Sequence, residues 1–135
     1  MPIPHYQFFE DLIHKVEAIE AATVAAVVSS EGLVLCSNVT DTDREAQLAS
    51  YAATYLDNGR KMFSARPAAE KESPEDVQAV ITVGHARFVI LAQIVAGSML
   101  VISGTDKSKI SIFLKMAMDE VARVTHLLKT KEILF

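Results

Sequence analysis

Residues 77–104 constrain this chain more than any other stretch. Three apolar runs, VQAVITV (77–83), RFVILAQIV (87–95) and SMLVISG (98–104), are separated only by Gly84-His85-Ala86 and Ala96-Gly97. The runs are short and rich in β-branched residues, which marks them as strands. Glycine-containing spacers of this length have room for a hairpin and little else. Strands joined so tightly must be antiparallel.

A second pair of the same kind lies upstream. TVAAVVSS (23–30) and LVLCSN (33–38) flank Glu31-Gly32, read as a two-residue hairpin turn because Gly accepts the positive φ such turns demand. The remaining periodic segments are helical. Phe9, Leu12, Ile13, Val16 and Ile19, widened by Phe8 and Tyr6, recur at helical spacing across 4–21. In NVTDTDREAQ, Thr42 stands three residues ahead of Glu45, a capping-box pattern opening a helix from about Asp43 to Ser64. Asp106 can cap a third helix, about 107–129, with a stripe of Ile110, Phe113, Leu114, Ala117, Val121, Val124 and Leu128. Its second patch, Ile112, Met116 and Leu127, is expected to pack beside the first helix.

The order α-β-β-α-β-β-β-α predicts an α/β (α+β) sandwich. Five antiparallel strands form one sheet, with one helix on one face and two on the other. At 135 residues this is one domain, 1–135, with its core over about 5–129, a charged loop at 65–76 and a short tail at 130–135. The tail residues Ile133, Leu134 and Phe135 are expected to fold back onto the body.

Several function classes fall away. Against 17 acidic residues there are 13 basic ones, with no basic stripe and interleaved aromatics, so nucleic acid is not an expected partner. The longest apolar stretch, Phe88 to Ile102, is broken by Gln93, Gly97 and Ser98 and is too short for insertion into a membrane. MPIPH lacks a basic segment followed by an apolar one, so no secretory leader is expected. A single cysteine excludes an internal disulfide and suits a reducing cytoplasm.

No catalytic constellation emerges. Cys36 has no histidine near it in sequence and reads as a small hydrophobe. His5, His14, His85 and His126 are scattered singly, without metal-ligand spacing. Neither GxGxxG nor GxxxxGK[ST] occurs. SGTDKSK (103–109) leads from strand to helix, where Asp106 serves as a cap rather than leaving an anion site. No catalytic residue, cofactor or metal is assigned, and an enzyme is not expected.

The second helix carries more apolar surface than one sheet needs. Tyr51, Met62, Tyr55, Leu48, Ala52, Phe63, Leu56, Ala49 and Ala53 span an arc of roughly 200°, interrupted by Arg60. Leu48, Ala52, Leu56 and Phe63 can serve the sheet, leaving Tyr51, Tyr55 and Met62 to point sideways. Tyr and Met are enriched in subunit interfaces. The strand 77–83 strengthens that reading. It belongs at a sheet edge, and an apolar edge without Lys or Pro invites pairing with another chain.

The leading helix, the AAVVSSEGLVLCSN hairpin, the Ala-rich EAQLASYAATYLDNGRKM helix, the three strands and the closing IFLKMAMDEVARV helix together resemble the Roadblock family over roughly residues 5–129. The resemblance implies a profilin-like sandwich and homo- or heterodimers joined through the second helix and third strand. Here that region falls on Leu48, Tyr51, Ala52, Tyr55, Met62, Val77, Ala79, Ile81 and Val83. It also implies action by binding, as a scaffold or activator of a small Ras-like GTPase. The expected protein is thus a non-enzymatic, cytoplasmic homodimer. The rival readings are a PAS-like small-molecule sensor and a structural light chain of a motor complex.

Overall fold

The computed structural model describes residues 3–19, 22–64, 77–95, 97–130 and 133–134. The loop expected at 65–76 and the tail residue Phe135 lie outside the described residues. The elements run β1 (Ile3–Pro4), α1 (His5–Glu17), β2 (Ala22–Ser29), β3 (Val34–Ser37), α2 (Thr42–Ser64), β4 (Ala79–Val83), β5 (Phe88–Val95) and β6 (Ser98–Gly104). A 3-10 turn (Lys107–Lys109), α3 (Ile110–Lys129) and β7 (Ile133–Leu134) follow. The sheet has the order β3-β2-β6-β5-β4, every pair antiparallel. β2 and β6 therefore join the hairpin to the strand triplet, and β3 and β4 are the edges. Within the tail, Ile133 and Leu134 pair in parallel with Ile3 and Pro4.

Period-two alternation divides the core into two layers. Ala25 and Val27 of β2, Phe88, Ile90, Ala92 and Ile94 of β5, and Leu100 and Ile102 of β6 share one cluster. They meet Phe8, Phe9, Leu12, Ile13 and Val16 of α1 and Phe113, Ala117, Val124 and Leu127 of α3. The alternate residues Ala26, Val28, Leu91, Met99 and Val101 meet Ala49, Ala52 and Leu56 of α2. β5 and β6 are covered on both faces, which is why their sequences are almost continuously apolar. Each large side chain fully buried this way contributes about 1.5–3 kcal/mol relative to exposure.

The first hairpin has a three-residue loop: Ser29 N–H donates to Leu33 O (2.8 Å), Gly32 N–H donates to Ser29 O (3.0 Å), and Gly32 takes φ +87°. The register shift between Val27 and Val28 absorbs the extra residue. The cap of α2 is Asp41, not Thr42: Asp41 Oδ1 accepts from Asp43 N–H (3.0 Å) and Arg44 N–H (3.3 Å). Glu45 does not close a capping box because Ser37 Oγ of β3 donates to its Oε2 at 2.6 Å. α1 ends at Glu17 rather than near Ala21. On α3 it is Leu127, not Leu128, that reaches the core. Phe63 stays exposed instead of serving the sheet.

Candidate functional site

α2 crosses its face of the sheet diagonally, and two glycines mark the crossing. Near its start, a Cβ added to Gly32 in the β2–β3 loop would lie 3.6 Å from Ser50 Cα. Near its end, a Cβ on Gly59 would lie 3.1 Å from Val77 Cγ2 and 3.5 Å from Val80 Cγ2. α2 thus leaves the hairpin side and comes to rest on the lead-in to β4.

That crossing fixes which flank of α2 overhangs the open edge. Arg60 Nη2 donates to Gln93 Oε1 on the inner strand β5 (3.1 Å), while Gly59 sits over Val77 and Val80 at the edge. At about 100° per residue, continuing round the helix from Arg60 past Gly59 brings Tyr55, Met62 and Tyr51 in turn. These side chains are solvent-exposed, Tyr51 by 63% and Met62 by 77%. The apolar flank therefore lies on the side of α2 nearest the edge strand.

The edge itself is unpaired among the described residues. Gln93 N–H donates to Gln78 O (2.9 Å) and Gly84 N–H to Arg87 O (2.7 Å), so the even-numbered residues of this segment turn their backbone groups toward β5. By the alternation of an antiparallel ladder, Ala79, Ile81 and Val83 direct N–H and C=O outward. Their side chains share the sheet face of Ile90 and Phe88, and Ile81 and Val83 are exposed. Neither a charged residue nor Pro lies in β4 to discourage a partner strand.

The nine residues singled out in sequence are divided by the structure. Tyr51, Tyr55 and Met62 are exposed on α2's side of the sheet, with Leu48 half-buried beside them. Ile81 and Val83 are exposed on the opposite face, with Ala79 half-buried. Ala52 and Val77 lie in the protein's own core with Leu56 and Leu91. Gln93 and Arg60 gained no role from the sequence beyond interrupting apolar patterns. Those interruptions were the available signal: the two side chains meet, and Gln93 Nε2 also donates to Val77 O at 3.2 Å.

A concavity lies between α1 and β3, lined by Glu10, Ile13, His14, Glu17, Cys36, Ser37 and Asn38. Partial burial, with the Glu10 and Glu45 carboxylates, pushes the Cys36 thiol above its ordinary value. Its neighbours are engaged: Asn38 Oδ1 accepts from Ala25 N–H and Ser37 Oγ donates to Glu45. A thiol held protonated is a poor nucleophile. His14, His85 and His126 are exposed, and no three or more His, Cys, Asp or Glu side chains converge for a metal among the described residues. No described helix is long and apolar enough to cross a membrane.

Five antiparallel strands sandwiched between α2 and the α1–α3 pair give the chain a Roadblock-type domain fold. It matches the Roadblock/LC7 domain from Streptomyces avermitilis with a TM-score of 0.69 at 16% identity, over 96% of this chain and 99% of that one. MglB of Myxococcus xanthus matches at 0.71 and 15%, covering 95% of each chain. The gliding protein MglB of Thermus thermophilus matches at 0.67 and 16%, over 88% and 89%. At these identities the likeness is one of fold. No family model matches the sequence, and neither does any curated protein.

Proposed function

We propose that this chain is a non-enzymatic, homodimeric regulatory or scaffold module of the cytoplasm that binds a small Ras-like GTPase and modulates or tethers it. The observation that carries the reading is the open backbone edge of β4, free of charged side chains, beside the exposed Tyr51–Tyr55–Met62 flank of α2. Apolar area and unsatisfied ladder groups lie side by side there, which suits a second copy adding its own β4 and α2 across a two-fold axis. The Roadblock-type fold supports the GTPase as partner, since the family resemblance implies action through Ras-like GTPases. A similar structure, of MglB, is described with a tetrameric arrangement, in line with self-association as a use of this fold.

The test is sedimentation of the purified chain followed by capture from source-cell lysate with GTP analogue and GDP in parallel. A dimer that enriches a Ras-like GTPase in one nucleotide state supports a regulator, and enrichment in both states supports a tether. A dimer that retains no GTPase in either state removes the GTPase from the reading.

A further inference from the structure

Gln93 is a polar residue in the middle of an apolar strand, one strand in from the open edge. Three of its groups bond to α2 and to the lead-in of β4. Its Oε1 accepts from Arg60 Nη2 of α2 (3.1 Å), its Nε2 donates to Val77 O (3.2 Å), and its backbone N–H donates to Gln78 O (2.9 Å). Val77 is buried, and its Cγ2 would lie 3.1 Å from a Cβ on Gly59, the residue next to Arg60. Arg60, Gln93, Val77 and Gly59 therefore form a closed ring of contacts joining helix, inner strand and the lead-in to the edge strand.

Resting on the self-association reading above, we infer that Gln93, with Arg60, is a positioning residue for that surface. The ring fixes the height and angle of the α2 flank relative to the β4 edge. Tyr55 is four residues before Gly59 and Met62 three after it, while Ile81 is four residues beyond Val77. A second copy must engage both elements at once, so their relative placement has to be set before it arrives. β4 has a single strand neighbour, β5, and gains from a second anchor just ahead of its first ladder residue. A leucine at 93 would fill much the same volume and keep the backbone bond, but would let the lead-in and helix shift independently. The amide thus serves the geometry of the surface more than the stability of the core.

The experiment uses the full chain at a temperature where circular dichroism shows every variant folded, with the dimer dissociation constant read by sedimentation across a dilution series. Gln93→Leu removes both side-chain bonds of the amide and is expected to raise that constant about tenfold, through loss of the fixed placement rather than of a contact to the second copy. Gln93→Glu keeps an acceptor for Arg60 but loses the donor to Val77 O, and is expected to weaken association likewise. A purely structural amide would lower the melting midpoint and leave the dissociation constant within about twofold. That result, or wild-type association by Gln93→Glu, overturns the inference while leaving the dimer in place. A wild-type chain that stays monomeric throughout the series instead removes the self-association reading, and the inference with it. Should the Gln93 variants not fold, Arg60→Met opens the same ring from the helix side, and a smaller rise is expected; an unchanged constant overturns the inference.

Discussion

Lys15 of α1 places its Nζ 2.8 Å from Oε1 of Glu120 on α3, 105 residues away in the chain. The carboxylate is nearly buried, with Glu120 only 6% exposed, and its other oxygen accepts from Arg123 Nη1 at 2.9 Å. Arg123 in turn lies 5.3 Å over the Phe8 ring. One buried acid thus links the two helices on that face of the sheet. Each cation is close to half exposed, so Lys15→Met alone should cost about 1 kcal/mol, as water and Arg123 still serve the carboxylate. Removing both with Lys15→Met and Arg123→Met strands the charge and should cost about 3 kcal/mol, more than the sum of the single changes. Urea unfolding of the four proteins in this cycle measures it. Additive losses would show that Glu120 draws no shared support from the pair.

Gly32 holds φ +87° where the three-residue loop returns the chain into β3. The space beside it is ordinary, with Ser50 Cα 3.6 Å from an added Cβ, so the penalty for a side chain is conformational rather than steric. Gly32→Ala is expected to destabilise by about 1 kcal/mol, and Gly32→Asn by less, because Asn tolerates the left-handed region better. Thermal melts of the three proteins decide the order. A stabilised Gly32→Ala would mean that the loop readily adopts another turn.

The strands and their order were legible because Gly84-His85-Ala86 and Ala96-Gly97 punctuate three β-branched runs. The division into layers was not, because β5 and β6 are apolar on both faces, Phe88, Ile90 and Ala92 toward α3 and Leu91 toward α2. What escaped was decided between distant residues. TDTDRE offers two caps, and the choice of Asp41 over Thr42 accompanies the capture of Glu45 by Ser37, a contact across the α2–β3 packing. The spacing of Ala117, Glu120 and Val124 puts the acid on the buried stripe of α3, yet only the fold supplies Lys15. The candidate surface was visible in sequence as an apolar surplus. Assigning Ala52 and Val77 to the protein's own core required the diagonal path of α2, which brings Gly59 over the start of β4.

Cys36 sits in the cleft between α1 and β3 with its pKa raised by burial first, then by the Glu10 and Glu45 carboxylates. A raised value keeps the thiol protonated over a wider pH range, so alkylation by iodoacetamide at neutral pH should be slower than for a free cysteine. Removing a nearby negative charge favours the thiolate. Glu10→Gln and Glu45→Gln should each move the rate profile to lower pH, read by mass spectrometry over a pH series. A wild-type thiol as reactive as free cysteine at pH 7 would contradict the assignment.

The outward N–H and C=O groups of Ala79, Ile81 and Val83 also set the register a second copy can take. In an antiparallel ladder only residues with outward groups can form hydrogen-bonded pairs, so the five residues of β4 overlap completely in just one way. Ile81 then faces Ile81 of the partner subunit, and Ala79 faces the partner subunit's Val83, with about six hydrogen bonds across the junction. Hydrogen-bonded pairs hold Cα atoms about 5.5 Å apart, inside disulfide range. In a Cys36→Ser background, oxidised Ile81→Cys should therefore cross-link with itself. Ala79→Cys and Val83→Cys should each stay uncross-linked alone yet form a mixed disulfide when co-refolded. Non-reducing electrophoresis reads all three. A mixed disulfide between Ala79→Cys and Ile81→Cys would move the two-fold axis to Val80, leaving Val83 opposite Val77, whose side chain is already buried against α2. That outcome would sink the register while leaving the edge itself as the meeting place of two chains.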